Sequence, residues 1–163
     1  MGVTEESIAR EALATIALSY VGAGDIHEQV WLDVLRPPQA HPVDATGRPL
    51  SWCRAAALYW IRERYRAAHN AEPPAEWIWI PGAGYERPLA LPMRRRPQVG
   101  DSPYRERSRL TLSRVCHGAI VTRLHDDETI DTVDGNIGGV VVHRERTPLS
   151  EWDVFFNTGK LLI

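Results

Sequence analysis

The sequence lacks the motifs of several large enzyme classes. It has no GxxxxGK[ST] phosphate loop and no GxSxG nucleophile turn, and its six histidines form neither HExxH nor any other cluster with zinc-ligand spacing. The two cysteines, Cys53 and Cys116, do not form a CxxC pair and are too few for a disulfide framework. These absences leave cysteine chemistry as the main catalytic option. We expect no cofactor and no metal.

Long hydrophobic runs are missing as well. The apolar stretches 55–61 and 138–142 are too short to span a bilayer, and the N-terminal segment has early acidic residues in place of a secretory signal. We therefore expect a protein synthesised in the cytoplasm without a signal peptide, and no membrane partner.

Charge of one sign does not dominate the chain. The net charge is −2, from 19 basic and 21 acidic side chains, so we expect no nucleic-acid partner. A local exception is the group of six arginines between Arg94 and Arg109. This group predicts a solvated loop or, alternatively, a cradle for an anionic substrate.

The chain does have the size and composition of one globular domain. It contains 163 residues, of which 44% are hydrophobic and 25% are charged. A chain of this length can bury a core of its own without disulfides or metals. Because the sequence has no internal repeat and no linker, we predict a single domain over residues 1–163.

Two amphipathic segments predict helices. The first covers residues 4–20 with Thr4 as its N-cap, and the second runs from Ser51–Cys53 to about Ala68. On the first helix, the apolar positions at helical spacing are Ile8, Ala12 and Ile16. A shorter helix is predicted over residues 28–35, followed by a proline-rich loop over 36–50.

The hydrophobic period then changes to that of strands. The candidate strands are residues 77–80, 117–124, 128–134, 138–144 and a closing segment within 151–163. Polar turns at Asp126-Asp127 and Gly135-Asn136 join the middle three. Helices that precede a meander of antiparallel strands predict an α+β domain, with the helices packed on one side of a sheet.

Cys53 lies at the predicted start of the second helix. The unpaired N–H groups and the dipole of a helix start lower a thiol pKa, and a nearby imidazolium lowers it further. His117 is the histidine best placed to supply that ring, because it opens a strand; His143, at a strand end, is the competitor. The end of the neighbouring predicted strand offers Asp134 and Asn136 to orient the ring.

Each of these residues also has an ordinary structural explanation. A single cysteine next to apolar residues is often a small core residue, and a strand histidine is often structural. Asp-Gly-Asn is a common turn sequence. The order and spacing of the residues, rather than any one of them, favour a catalytic interpretation.

Four segments in order give a more specific indication. They are residues 14–22, a helix ending in Val-Gly; Trp52-Cys53, opening a helix; 97–101, with the pattern Pro-x-x-Gly-Asp before the His117 strand; and 130–136, ending in Val-Asp-Gly-Asn. This order resembles the CHAP and NlpC/P60 group of cysteine peptidases and amidases, which share a papain-like fold. The resemblance covers about residues 12–144.

The resemblance implies a role for each candidate residue. Cys53 is the nucleophile, His117 is its base, Asp134 is the acidic orienter, and Asn136 is an amide that assists the site. The first N–H groups of the Cys53 helix complete an oxyanion hole. Asp134 is one methylene shorter than the family's usual glutamate, so Asn136 stays open as the orienter. Strand alternation places Cys116 opposite His117, in the core.

The resemblance also implies a substrate. It indicates thioester-mediated hydrolysis of an amide in peptidoglycan, either in the stem peptide or at the muramoyl–alanine bond. The expected partners are peptidoglycan or a peptide, and an immunity or inhibitor protein. Such an enzyme acts at the cell wall or periplasm after delivery by a phage or a secretion system. Two alternatives stay open: a papain-like protease or deamidase toxin acting on a protein, and a non-catalytic binding module on the same fold.

Overall fold

The structure is a computed structural model that describes residues 4–24, 53–74, 93–105 and 117–159. The helix predicted at 28–35, the loop at 36–50 and the strand at 77–80 lie outside the described residues, as does Cys116.

Helix α1 spans Glu5–Ser19 and is capped by Thr4, as predicted. The Thr4 hydroxyl accepts a hydrogen bond from the Ser7 backbone N–H, and the Thr4 N–H donates to the Ser7 hydroxyl, which together form a capping box. The buried apolar face consists of Ala9, Leu13, Ala14 and Ala17.

The face predicted for α1 is therefore wrong in detail. Ile8 is 59% exposed, and Ile16 only borders the core. Alanines dominate the buried row next to them, and their small side chains let α1 approach α2 closely.

Helix α2 spans Cys53–His69, close to the predicted bounds. Residues 56–61 are all buried, and Trp60 has no exposed surface. Six consecutive buried residues place this half of the helix inside the domain, whereas residues 66–69 at its other end are exposed. Accordingly, α2 packs against α1 on one side and against the sheet on the other.

Six strands of the described residues form one antiparallel sheet. They are β1 (Met93–Arg94), β2 (Ser102–Arg105), β3 (His117–Leu124), β4 (Thr129–Ile137), β5 (Val140–Pro148) and β6 (Val154–Phe156). Their order in the sheet is β1-β6-β2-β3-β4-β5. A short 3-10 helix, Leu149–Glu151, joins β5 to β6. The predicted α+β class, with helices packed on an antiparallel sheet, is confirmed.

Apolar side chains cover both faces of the sheet. One cluster joins the two helices to Tyr104, Ile120, Val133, Val141 and Phe156. The second consists of Ala119, Val121, Ile130, Trp152 and Phe155. Consecutive residues of β3 belong to different clusters, since Ala119 and Val121 lie in the second and Ile120 between them lies in the first, as the two-residue period of a strand requires.

The turn between β4 and β5 lies later than predicted. Strand β4 continues through Gly135-Asn136 to Ile137, and the chain reverses at Gly138 and Gly139, whose φ angles are +62° and +83°. Asn136, at φ +60°, lies where the β4–β5 register shifts. The predicted turn sequence therefore forms an irregularity inside the strand, since the two following glycines adopt the left-handed conformation with less strain.

Candidate active site

Cys53 is the first residue of α2 and is 1% exposed. The first N–H groups of a helix have no acceptor within the helix, and the helix dipole makes this end favourable for negative charge. Because the following turns of α2 are buried between α1 and the sheet, the position of the thiol is fixed by the core. The sequence prediction that this cysteine opens a helix is confirmed.

His117 is the first residue of β3 and is 4% exposed. Its Nε2 lies 2.6 Å from Oδ2 of Asp134, and its ring also forms a hydrogen bond with the side chain of Cys53. Because Asp134 occupies Nε2, Nδ1 is the nitrogen left for the thiol. One buried imidazole thus joins a cysteine of α2 to a carboxylate of β4, two groups 81 positions apart in the chain.

The environment of His117 favours the protonated ring. Burial alone lowers the pKa of an imidazole, because it removes water from the charged form. The hydrogen bonds to Asp134 and Cys53 and the negative charges of both groups act in the other direction. Together they outweigh burial and raise the pKa of His117 to about 9. The His117 ring therefore favours its protonated form at neutral pH, and a positive charge beside a thiol favours the thiolate.

Asp134 is fully buried in the middle of the sheet, paired with Ala119 of β3 and Val142 of β5. Its Oδ1 accepts a hydrogen bond from the Thr132 hydroxyl. Its Oδ2 faces both the His117 ring and the Arg144 guanidinium, whose Nη1 lies at 3.3 Å. A buried carboxylate with all these donors has the partners that such a charge requires.

Asn136 is the alternative orienter that the sequence left open. It lies two positions beyond Asp134 in β4 and is half-buried. A ring nitrogen carries a single hydrogen, and that of His117 Nε2 is directed to Asp134 at 2.6 Å. The geometry therefore favours Asp134 for orientation of the ring.

A network of charged side chains continues from Asp134 to Arg144 and from there to Glu151. Glu151 accepts two hydrogen bonds from Arg144, with Nη1–Oε1 at 2.9 Å and Nη2–Oε2 at 3.0 Å. The same carboxylate accepts a bond of 2.9 Å from Nη1 of Arg105. Sequence reasoning missed this network, because neither a strand arginine nor a glutamate after the strand carries a motif.

Trp152 covers one side of the His117 ring. Its ring is stacked on the imidazole of His117, with centroids 5.8 Å apart and planes inclined by 21°. The Arg105 guanidinium lies 6.0 Å from the centre of the same indole ring. The indole is 6% exposed and keeps water away from the ring contact with Asp134. The sequence indicated only that Trp152 belongs to the closing segment.

The other predicted candidate, His143, lies elsewhere. Its Nε2 is 3.4 Å from the Thr122 hydroxyl, part-way along β3. A second histidine–carboxylate contact joins His125 to Asp131 at 2.7 Å, at the opposite end of β3 from His117. Both histidines are structural groups of the β3–β4–β5 sheet.

Surface depressions of about 310 and 510 Å³ lie beside α1 and at the end of α2, away from Cys53. Within the described ranges, no group of three or more histidine, cysteine or acidic side chains is arranged to hold a metal ion. Over the same residues, no helix is both long and apolar enough to cross a membrane.

Comparisons of the chain with models of protein families, with curated proteins and with solved structures found no match.

Proposed function

We propose that this protein is a papain-like cysteine hydrolase that cleaves amide bonds in peptidoglycan. The observation that carries the proposal is the contact of one buried imidazole with both a thiol at a helix start and a buried carboxylate. This is the arrangement that nucleophilic catalysis by cysteine requires: a nucleophile, a base within hydrogen-bond reach and a group that orients the base.

In the first half of the reaction, the Cys53 thiolate attacks the carbonyl carbon of the amide. A C–S bond forms, and the carbonyl electron pair moves onto oxygen. When the tetrahedral intermediate collapses, the C–N bond breaks and His117 gives its proton to the departing amine. The products of this half are a free amine and a thioester on Cys53.

In the second half, water attacks the thioester. His117, now neutral, removes a proton from that water, and the C–S bond breaks to release a carboxylic acid. The Cys53 thiolate leaves with the sulfur electron pair, and the proton stays on His117. In both halves the Asp134 carboxylate contacts Nε2 of His117 and so fixes the orientation of the ring, as an orienting carboxylate does in hydrolytic triads.

The first backbone N–H groups of α2 would stabilise the oxyanion. They are directed along the helix axis toward the end at which Cys53 lies, and they have no acceptors within the helix. Hydrogen-bond donors that are fixed in place before the reaction are often the largest single contribution to acyl-transfer catalysis.

The choice of fold and substrate is supported by the order of the elements and by the resembling segments. A nucleophile at the start of a buried helix, followed by a histidine that opens a strand of an antiparallel sheet, is the papain-like order. The segments 14–22, 97–101 and 130–136 carry the resemblance to peptidoglycan hydrolases. We further propose action at the cell wall or periplasm after delivery, with an immunity or inhibitor protein as partner.

Digestion of purified sacculi tests the proposal. Sacculi with several cross-link chemistries are incubated with the protein, and the released fragments are identified by mass spectrometry. We expect new pairs of amine and carboxyl ends at one type of amide bond. Cys53→Ala should lower the rate by about a thousandfold or more, because the nucleophile is lost.

The matched control is Cys116→Ala, which removes the other cysteine and should retain the wild-type rate. Equal release by Cys53→Ala and wild type would remove Cys53 from the mechanism. Absence of any release by the wild type from all sacculi would exclude peptidoglycan as the substrate.

A further inference from the structure

We propose that Arg144, bound at two points by Glu151, is a positioning residue that fixes the Asp134 carboxylate and limits how strongly this carboxylate stabilises a charged His117. The inference rests on the proposed function, in which His117 is the acid and base, and it adds a pair of oppositely charged residues that adjust that role.

The geometry at Asp134 shows why Arg144 affects His117. Oδ2 of Asp134 is shared: the His117 Nε2 lies at 2.6 Å and the Arg144 Nη1 at 3.3 Å from the same oxygen. A carboxylate oxygen that a guanidinium also contacts has less negative potential left for the ring. Arg144 therefore lowers the stabilisation that Asp134 gives to the imidazolium, while it restricts rotation of the carboxylate.

Glu151 fixes the guanidinium in that position. Its two oxygens bind the two terminal nitrogens of Arg144 at 2.9 and 3.0 Å, a two-point arrangement that sets the plane as well as the place of the group. Arg144 lies on β5 directly opposite Thr132, and Glu151 ends the 3-10 helix that follows β5. Arg105, on β2, donates to Oε1 of Glu151, the same oxygen that accepts from Nη1 of Arg144.

The charged groups around His117 come from five elements. They are Cys53 of α2, Asp134 of β4, Arg144 of β5, Arg105 of β2 and Glu151 of the 3-10 helix. The thiolate and Asp134 favour the imidazolium directly. The two arginines oppose it, and Glu151 partly neutralises them. Removal of Arg144 and removal of the Glu151 charge should consequently act on His117 in opposite directions.

This balance matters because His117 must give its proton to the leaving amine. A ring whose protonated form is stabilised too strongly is a poor acid, and catalysis is best when the group titrates near the working pH. The pKa of His117 is already raised to about 9. A buried carboxylate without a competing cation would raise it further.

The test is an NMR titration of the His117 ring in the full-length protein, with the resonance assigned by its loss in His117→Gln. Arg144→Gln should move the titration midpoint upward, and Glu151→Gln should move it downward, each by roughly one pH unit. Arg144→Lys keeps the charge and should leave the midpoint near that of the wild type. A merely structural role would not produce shifts of opposite sign.

Arg146→Gln and Glu145→Gln are the matched controls, since they remove the same charges from exposed side chains of the same strand. Shifts of the same direction in Arg144→Gln and Glu151→Gln, or shifts no larger than those of the controls, would overturn the inference. If Arg144→Gln does not fold, Glu151→Gln and Arg144→Lys decide the question. The titration needs no substrate, so failure of the hydrolysis proposal appears separately, as intact sacculi.

Discussion

At the scale of single residues, the site depends on how a few buried charges are neutralised. Asp134 has no exposed surface, yet Thr132, His117 and Arg144 all direct hydrogens to its two oxygens. An unpaired carboxylate at this depth would cost several kcal/mol, on the order of the penalty for a buried ion. The contacts that orient the His117 ring are thus the same contacts that make the carboxylate compatible with the fold.

The raised pKa of His117 predicts a pH dependence of folding. The value is about 9 in the folded protein, against 6.5 for an unperturbed histidine. Stabilisation by the protonated ring is therefore fully present below pH 6.5 and is lost as the pH rises through about 9. Its size is on the order of 3 kcal/mol, from the free energy of about 1.4 kcal/mol per pKa unit.

Urea unfolding between pH 6 and pH 10 measures this effect. The wild type should lose more stability over the range than His117→Gln, whereas His69→Gln, at the exposed end of α2, should follow the wild type. Parallel curves for the wild type and His117→Gln would contradict the prediction.

At the scale of elements, Gly100 sets the distance between α1 and the sheet. Its φ is +81°, and a Cβ at this position would lie 2.9 Å from both Cα and the carbonyl oxygen of Arg10 in α1. Its N–H donates to the Val121 carbonyl of β3, and its own carbonyl accepts from the Thr158 hydroxyl. Helix α1, strand β3 and the segment that contains Thr158 therefore all contact Gly100, which has no side chain.

Gly100→Ala should consequently destabilise the fold more than a substitution at a left-handed glycine with open space around it. We expect a loss of about 3 kcal/mol or more, since left-handed strain adds to a clash with backbone that cannot move aside. The matched control is Gly138→Ala, at φ +62° with no atom within 4 Å of the added Cβ. That variant should lose only about 1–2 kcal/mol. Urea unfolding compares the two, and equal losses would contradict the role of the close contact.

At the scale of the whole molecule, Arg10 joins three separated parts of the chain. Its guanidinium donates to the Asp101 carboxylate, to the Val99 carbonyl and to the side chain of Asn157, and it also pairs with Glu6 of its own helix. Burial raises the pKa of Asp101 although the Arg10 charge acts against this. The raised pKa means that the ion pair only partly offsets the cost of burying the carboxylate.

Arg10→Met tests this connection. It leaves the fully buried Asp101 without its main cation, so we expect the free energy of unfolding to fall by about 3–5 kcal/mol. Arg66→Met removes an arginine from the exposed ion pairs of α2 and should cost no more than about 1 kcal/mol. Thermal and urea unfolding measure both variants. A small loss in Arg10→Met would show that water or another cation compensates Asp101.

Much of the secondary structure could be predicted, because its signals are local. Thr4 with Ser7 marks the start of α1, the helical pattern gives the extent of α2, and the alternation of residues 117–124 gives β3. The predicted position of the β4–β5 turn was wrong, since Gly135-Asn136 and Gly138-Gly139 are both turn sequences. Which of the two becomes the reversal depends on the register with neighbouring strands, and this register is not a local property.

The sequence by itself determined α1, α2, the three strands β3 to β5 and the residues able to perform cysteine chemistry: Cys53 at a helix start, His117 at a strand start, and Asp134 or Asn136 nearby. It predicted neither β1 nor β2, which are short strands in a segment rich in proline and arginine. Tertiary structure decided which of them meet, because hydrogen bonds form only where separate strands and helices pack side by side. It selected Asp134 over Asn136 for the Nε2 contact, and it added Trp152, Arg144 and Glu151. These side chains are buried or half-buried, and electrostatic interactions are stronger in such a weakly polar environment than in water. The partners of a buried charge therefore largely determine whether that charge is stable.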